Sequence, residues 1–225
     1  MEPMYPKLIA CRVLIEEMRP FLPKEVATEI LEISLHTRPE KLRAALQQAI
    51  DSSDGLWDPI YLGYGLCGKA VAGLMAKRSR LVVPRSDDCI AIFLGSHEER
   101  RRQLAANPGT YFLTQGWIGD QAGSLFSDYE RMIEKYGRDK ADRLVGRMLC
   151  GYTRLAYIRL PNAVSIESDR QYARDVAARF HLEYVEIDGT PAVLERMVKQ
   201  DWDDDFIVCQ PGQPITVEQF LRATK

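Results

Sequence analysis

The chain has 225 residues, 46% of them hydrophobic, with 30 Lys and Arg against 32 Asp and Glu. That length and apolar content build one large domain or two small ones around an ordinary core, with no need of a disulfide staple. The near-neutral charge disfavours a broad nucleic-acid surface, and no window approaches the ~18 apolar residues of a membrane span.

Short apolar runs alternate with amphipathic segments along the chain. KLIACRVL (7–14) reads as a strand, and EILEISLH (29–36) as a second. Pro39 opens a helix, PEKLRAALQQAIDSS, with Leu42, Leu46 and Ile50 at helical spacing. PIYLGYG is a third strand, KAVAGLMAK a short helix and RLVVP (80–84) a fourth strand. DCIAIFLGSHEERRRQLAANP reads mainly as helix, and GTYFLT (109–114) as a fifth strand. GWIGDQAGS is a loop, and a long helix from about 124 to 149 is broken near Gly137. TRLAYIRL is strand, then SIESDRQYARDVAARFHL is helix, with Ser165 and Asp169 as a capping box. LEYVEIDG is strand, PAVLERMVKQ helix, DFIVCQPG a last strand and ITVEQFLRATK a closing helix.

This alternation predicts an α/β fold, with mostly parallel sheet flanked by helices in a Rossmann-like manner. The chain reads as one α/β unit over residues 1–225, or as two similar lobes, 1–115 and 116–225. No signal peptide is visible in MEPMYPKLIACRVL, so the expected location is the cytoplasm, with no membrane partner. In that compartment five cysteines are free, metal-bound or catalytic rather than disulfide-bonded.

Ligands in such folds bind at the C-terminal strand ends. Cys11 falls late in the first strand and His36 ends the second. Cys67 follows the third, in GYGLCGK, and Arg85, Asp87, Asp88 and Cys89 follow the fourth. Thr114, Gln115 and Trp117 follow the fifth. A turn containing Gly63, Gly65 and Gly68 lets backbone approach a ligand closely. A helix starting at Lys69, and another at Cys89, would favour the thiolates of Cys67 and Cys89 through their N-terminal dipoles. GYGLCG also imitates the G-x-G-x-x-G nucleotide fingerprint, which makes a nucleotide-binding enzyme an alternative. No acidic ribose partner follows at the expected distance, and Ala70 stands where a P-loop needs Ser or Thr. Cys150 and Cys209 read as small buried residues, His97 and His181 as solvent-facing, and Asp203, Asp204 and Asp205 as a turn.

LHTRPEKLRAALQQAID, YLGYGLCGKAVAGL, LVVPRSDDCIAIFLGS and GTYFLTQGW, in that order, resemble an uncharacterised bacterial and archaeal family known only as a domain of unknown function. Its members often neighbour corrinoid-dependent methyltransferase genes in anaerobes. The resemblance places the family's histidine, turn cysteine and Asp-Cys pair at His36, Cys67, Asp88 and Cys89, and an early cysteine at Cys11. Gln115 stands where a Pro-like residue is expected.

Together these point to a metal-centred protein that binds a small anionic substrate and is linked to corrinoid-dependent methyl transfer. The expected metal ligands are His36, Cys67 and Cys89, with Cys11 as a fourth, around zinc. The variant is an iron–sulfur cluster on Cys11, Cys67 and Cys89. Asp88 and Arg85 are the candidate catalytic residues, Asp88 as base or ligand partner and Arg85 on the substrate anion. Tyr111, Thr114, Trp117, Gly65 and Gly68 would line the substrate pocket. The alternative from another class is a non-catalytic carrier of a metal, corrinoid or methyl donor, with a corrinoid protein or methyltransferase as partner.

Overall fold

The computed structural model describes residues 4–118, 125–161 and 167–221. In chain order it begins with β1 (Lys7–Cys11), α1 (Arg12–Met18), β2 (Ala27–Leu31), α2 (Pro39–Ser53), β3 (Ile60–Leu62) and β4 (Leu81–Pro84). Next come α3 (Ile90–Leu94), α4 (His97–Ala106), β5 (Thr110–Leu113), α5 (Leu125–Tyr136), α6 (Arg138–Met148) and β6 (Arg154–Arg159). The last elements are α7 (Glu167–Arg179), β7 (Glu183–Asp188), α8 (Ala192–Val198) and β8 (Phe206–Cys209).

The strands form two sheets, one of five in the order β2-β1-β3-β4-β8 and one of three in the order β5-β6-β7. β1 pairs in parallel with β2 and β3, and β3 with β4, while β8 closes the edge antiparallel to β4. The three-stranded sheet is parallel throughout. The fold is therefore α/β with mostly parallel sheet and flanking helices, as the alternation of elements predicts.

The chain divides into two units, Met1–Glu99 with Thr190–Lys225, and Arg100–Gly189. The boundaries lie within α4 and just after β7, and the chain returns to the first unit; the sequence suggests a single cut near 115. In the first unit Leu8, Ile9, Ala10, Ile60, Tyr61 and Leu62 are wholly buried. Consecutive buried residues mean that both faces of β1 and β3 are covered, as for interior parallel strands. α1 offers Leu14, Ile15 and Met18 to this core, and α2 offers Leu42, Leu46 and Ile50. In the second unit Leu113, Leu155 and Tyr157 of the strands pack with Tyr129, Val145, Ala173 and Val176 of the helices.

Four local expectations change. KLIACRVL is strand only to Cys11, where α1 begins. EILEISLH stops being strand at Leu31 and ends in a 3-10 turn, Ile33–Thr37. KAVAGLMAK makes no α-helix: Cys67–Lys69 is one 3-10 turn, and Gly73, at φ +88°, interrupts the segment beyond it. Its backbone bonds outward instead, Gly73 N–H to the Ile215 carbonyl at 2.7 Å and Met75 N–H to Gln47 Oε1 at 3.2 Å. The closing segment forms only a 3-10 turn, Glu218–Phe220. The predicted break at Gly137 falls between α5 and α6. The predicted cap at Ser165, residues 119–124 of the GWIGDQAGS loop and the last four residues lie outside the described residues.

Candidate functional site

The order β2-β1-β3 sets the location of the site. From β1 the chain moves to one side to form β2, then crosses to form β3 on the other side. The two connections diverge beyond the C-terminal ends of β1 and β3, and that crevice is where open α/β sheets bind ligands. Cys11 is the last residue of β1 and the N-cap of α1. Tyr64 and Cys67 follow β3, and Asp88 and Cys89 follow β4.

The turn after β3 is locked against the turn after β4. Leu66 N–H donates to the Ser86 carbonyl at 2.8 Å, and Cys67 N–H to the Asp87 carbonyl at 2.9 Å. Gly65 is needed for this contact: a Cβ there would stand 2.7 Å from Asp88 N and from the Ser86 carbonyl. The close approach that a glycine turn permits is thus used by the chain's own Ser86–Asp88 segment. The amides of Leu66 and Cys67 are committed to it too, so neither is free to cradle a phosphate.

Cys67, Gly68 and Lys69 follow in succession at φ +46°, +64° and +70°. For two residues with side chains this left-handed backbone costs about 1–2 kcal/mol each. Gly68 takes it without cost. No helix starts at Lys69, so the dipole expected to favour the Cys67 thiolate is absent. Burial instead pushes the Cys67 thiol up to about 12, aided by the charges of Asp88 and Cys11 and opposed by the Gly65 and Cys89 amides. Cys89 is the N-cap of α3, which is only five residues long, and burial raises its pKa strongly, helped by Cys67, Cys11 and Asp88. Cys11 is also raised by burial, against the amides of Leu14 and Val13. The expected thiolates are neutral thiols because desolvation outweighs the local dipoles.

The turn bearing Cys67 is bonded to the segment leading to Asp88 and Cys89, and Cys11 ends β1, the neighbour of β3 in the sheet. Burial raises the pKa of the Tyr64 hydroxyl, with smaller contributions from Cys11, Cys67 and Cys89. Tyr64 is 4% exposed, and its hydroxyl has no hydrogen-bond partner. Sequence reasoning passed over it as part of a strand. The available signal was an aromatic with a polar tip between two glycines, where burial demands a partner.

The other expected site residues are placed differently. His36 is exposed in the turn after β2, with Nδ1 2.6 Å from the Ile33 carbonyl. Asp88 accepts the Ile90 N–H at 3.1 Å and so orders the turn into α3. Arg85 lines a small cavity of about 10 Å³ with Ser96, His97, Val193 and Asp205, which none of the cysteines lines. Its Nε is buried without a hydrogen-bond partner. His97, expected to face solvent, is half-buried against this cavity, while His181 is exposed. Tyr111 lies in β5 and Thr114 and Trp117 follow it, and β5 belongs to the three-stranded sheet and not to the sheet bearing the cysteines. Tyr111 packs edge-to-face on Tyr152 at 5.4 Å, and Trp117 packs on the second unit's core. Cys209 is buried as expected, but Cys150 is exposed. The Asp203–Asp205 turn is held by Arg196, whose Nη1 is 3.0 Å from Asp205 Oδ2.

An open groove of about 550 Å³ is lined by Arg38, Pro39, Lys41, Arg43, Gly68 and Lys69, with Glu40. Four cations face one carboxylate there. Arg43 also donates to the Lys69 carbonyl at 2.8 Å, tying α2 to the left-handed turn.

For a metal, the donor types are present but their placement does not make a site. Three sulfurs are soft donors. Among the described residues no group of three or more His, Cys, Asp or Glu side chains is placed so that it could hold a metal ion. Also among the described residues, no helix is long and apolar enough to cross a membrane.

No curated protein and no solved structure matches the chain. Residues 30–198 match the model of a family described as a protein of unknown function, DUF1638. That span runs from within β2 through α8 and takes in the turns after β3 and β4. The chain therefore belongs to the DUF1638 family.

Proposed function

We propose that this protein binds a thiophilic metal through Cys11, Cys67 and Cys89 at the crevice between β1 and β3, beside a groove that takes a small anionic ligand. The observation that supports this reading is that three thiols stand at the C-terminal ends of β1, β3 and β4 of one sheet, with the turn of Cys67 bonded to the segment that leads to Cys89. The basic groove supports the anionic ligand. It takes over the role that the sequence suggests for Arg85, which lines a cavity of its own.

The neutral state of the thiols suits loading. Each thiol that ligates gives its proton to solvent, and a bound divalent cation favours the thiolate that burial opposes. Zinc would supply Lewis acidity or an activated thiolate; an iron–sulfur cluster is the variant. Asp88, in the turn after β4 just before Cys89, would be the proton acceptor. The open arrangement of the sulfurs favours a second reading, a carrier that takes up and releases a metal or corrinoid-linked ligand without converting it. A cytoplasmic location and a corrinoid protein or methyltransferase as partner belong to this proposal.

Elemental analysis with a visible spectrum, on protein purified without oxygen, tests it. About one zinc per chain without colour, or iron with sulfide and broad visible absorbance, is the expected result. Cys67→Ser and Cys89→Ser should each release most of the metal, and Arg85→Ala should retain it. His36→Ala should also retain it; loss would restore the Cys2His set. Full metal content in both cysteine variants, or no metal under any condition, would overturn the reading.

A further inference from the structure

The fold makes no use of most of the charge that lines the groove between α2 and the left-handed turn. Among the described residues, the Arg38, Lys41 and Lys69 side chains have no carboxylate and no hydrogen-bond acceptor, and all three are exposed. Arg43 alone of the four cations is engaged, through Nη2 with the Lys69 carbonyl at 2.8 Å. Glu40 is the single carboxylate of the lining, so four positive charges against one negative leave a surplus of three. Like charges gathered in a concavity raise its potential and repel one another until an anion enters.

Lys69 adds backbone strain to this repulsion. It stands at φ +70°, where a glycine would sit without strain. The turn is nevertheless fixed in that form. Arg43 bonds its carbonyl, and Gly68 lies so close to α2 that a Cβ there would be 3.0 Å from Pro39 Cγ. A cation thus occupies a position at which stability alone favours glycine, and that position lines the groove. The groove measures about 550 Å³, the size of a small-molecule site rather than of a macromolecular interface. A phosphate group brings nearly two negative charges on one centre at neutral pH, and a diphosphate more. Arginine forks match its oxygens in pairs. A single carboxylate would leave most of the surplus uncompensated.

Resting on the anionic-groove part of the reading above, and on none of its metal chemistry, we propose that this groove is a binding site for a small phosphate-bearing molecule. Arg38, Lys41 and Lys69 bind the phosphate oxygens. Arg43 is the brace that keeps Lys69 on the groove through its bond to the Lys69 carbonyl. The amides of Leu66 and Cys67, already bonded to the Ser86–Asp88 segment, take no part.

Calorimetric titration of the full-length chain with inorganic phosphate, pyrophosphate and succinate, at low salt, tests this. Pyrophosphate is expected to bind tightest and succinate weakest. Arg38→Gln and Lys69→Gly are each expected to weaken pyrophosphate by about tenfold. The melting temperature should be unchanged in Arg38→Gln and unchanged or raised in Lys69→Gly, because neither side chain has a partner in the fold. Lys24→Gln, which removes an exposed cation outside the groove, should leave binding as it is. An equal loss in Lys24→Gln would show a diffuse charge effect and overturn the site. Unchanged affinity in both groove variants would overturn it too. Succinate bound as tightly as pyrophosphate would overturn the phosphate assignment and leave the anionic groove standing. No binding of any of the three would overturn the groove as well. A chain without metal that still binds pyrophosphate supports this inference, even where the metal reading fails.

Discussion

Cys67 illustrates how tertiary surroundings reverse a local argument. A cysteine in a glycine turn before a helix should ionise easily, yet this one sits in a left-handed turn with its thiol pushed up to about 12 by burial. The direction has a consequence for stability. In the folded chain the thiol is neutral, whereas in the unfolded chain it ionises near its ordinary value of 9.0. Its contribution is therefore complete below pH 9.0 and is lost as pH rises toward about 12. Urea midpoints of the metal-free protein should fall steadily over that range, and Cys67→Ala should flatten the fall. A slope unchanged by that variant would show that other groups govern the alkaline limb. Gly65 makes a second residue-scale prediction. A methyl group there meets backbone on two sides at 2.7 Å. Gly65→Ala should cost about 1–3 kcal/mol, as overpacking does, and should loosen the metal site together with the fold. Equal melting curves would refute this.

Among the elements, the connection from α2 to β4 depends on one carboxylate. Asp54, just beyond α2, accepts the N–H groups of Lys77, Arg78 and Ser79 at 2.8–2.9 Å. Nearby, Arg80 is fixed by Asp58 through its Nε and Nη2, and it lies over the Trp202 ring at 5.5 Å. Burial acts against the Asp54 charge, but the amides of Arg78 and Lys77, with Ser79, outweigh it and hold the carboxyl below its ordinary value. A lowered folded pKa gives stability that is present above the unfolded value and lost as pH falls through the folded one. Asp54→Asn should remove part of the acid sensitivity. Asp54→Ala, which leaves three amides without their acceptor, should cost about 1–3 kcal/mol at neutral pH. Denaturant curves at pH 7 and pH 4 would show both; equal losses at the two values would contradict the assignment. This interaction also explains why KAVAGLMAK is not helical. Its end is tied to Asp54, its middle to Ile215 and Gln47, and each tie replaces a helical hydrogen bond.

At the scale of the whole molecule, the return of the chain to its first unit is the main organising feature. β8 pairs antiparallel with β4, and Leu194, Met197, Phe206, Ile207 and Ile215 are buried. A chain ending at Gly189 would leave β4 as an edge and remove those side chains from the first unit. It should lose hydrogen-exchange protection at β1 and β3 while β5–β7 remain protected. Protection kept in all strands would show that the C-terminal segment is dispensable.

The sequence by itself determined the alternation of elements, the fold class, α2 with its Pro39 start, the break at Gly137 and the placing of Cys11, Cys67 and Cys89 at strand ends. These follow from hydrophobic period and from the backbone limits of glycine and proline, which act over a few residues. Tertiary structure alone decided which strands share a sheet. It separated Tyr111, Thr114 and Trp117 from the sheet that bears the cysteines. It left His36 exposed and directed Arg85 to a cavity of its own. It also buried Tyr64 with its hydroxyl unpartnered. Strand order, burial and the loss of a partner for one hydroxyl depend on segments far apart in the chain, and local propensity carries no record of them.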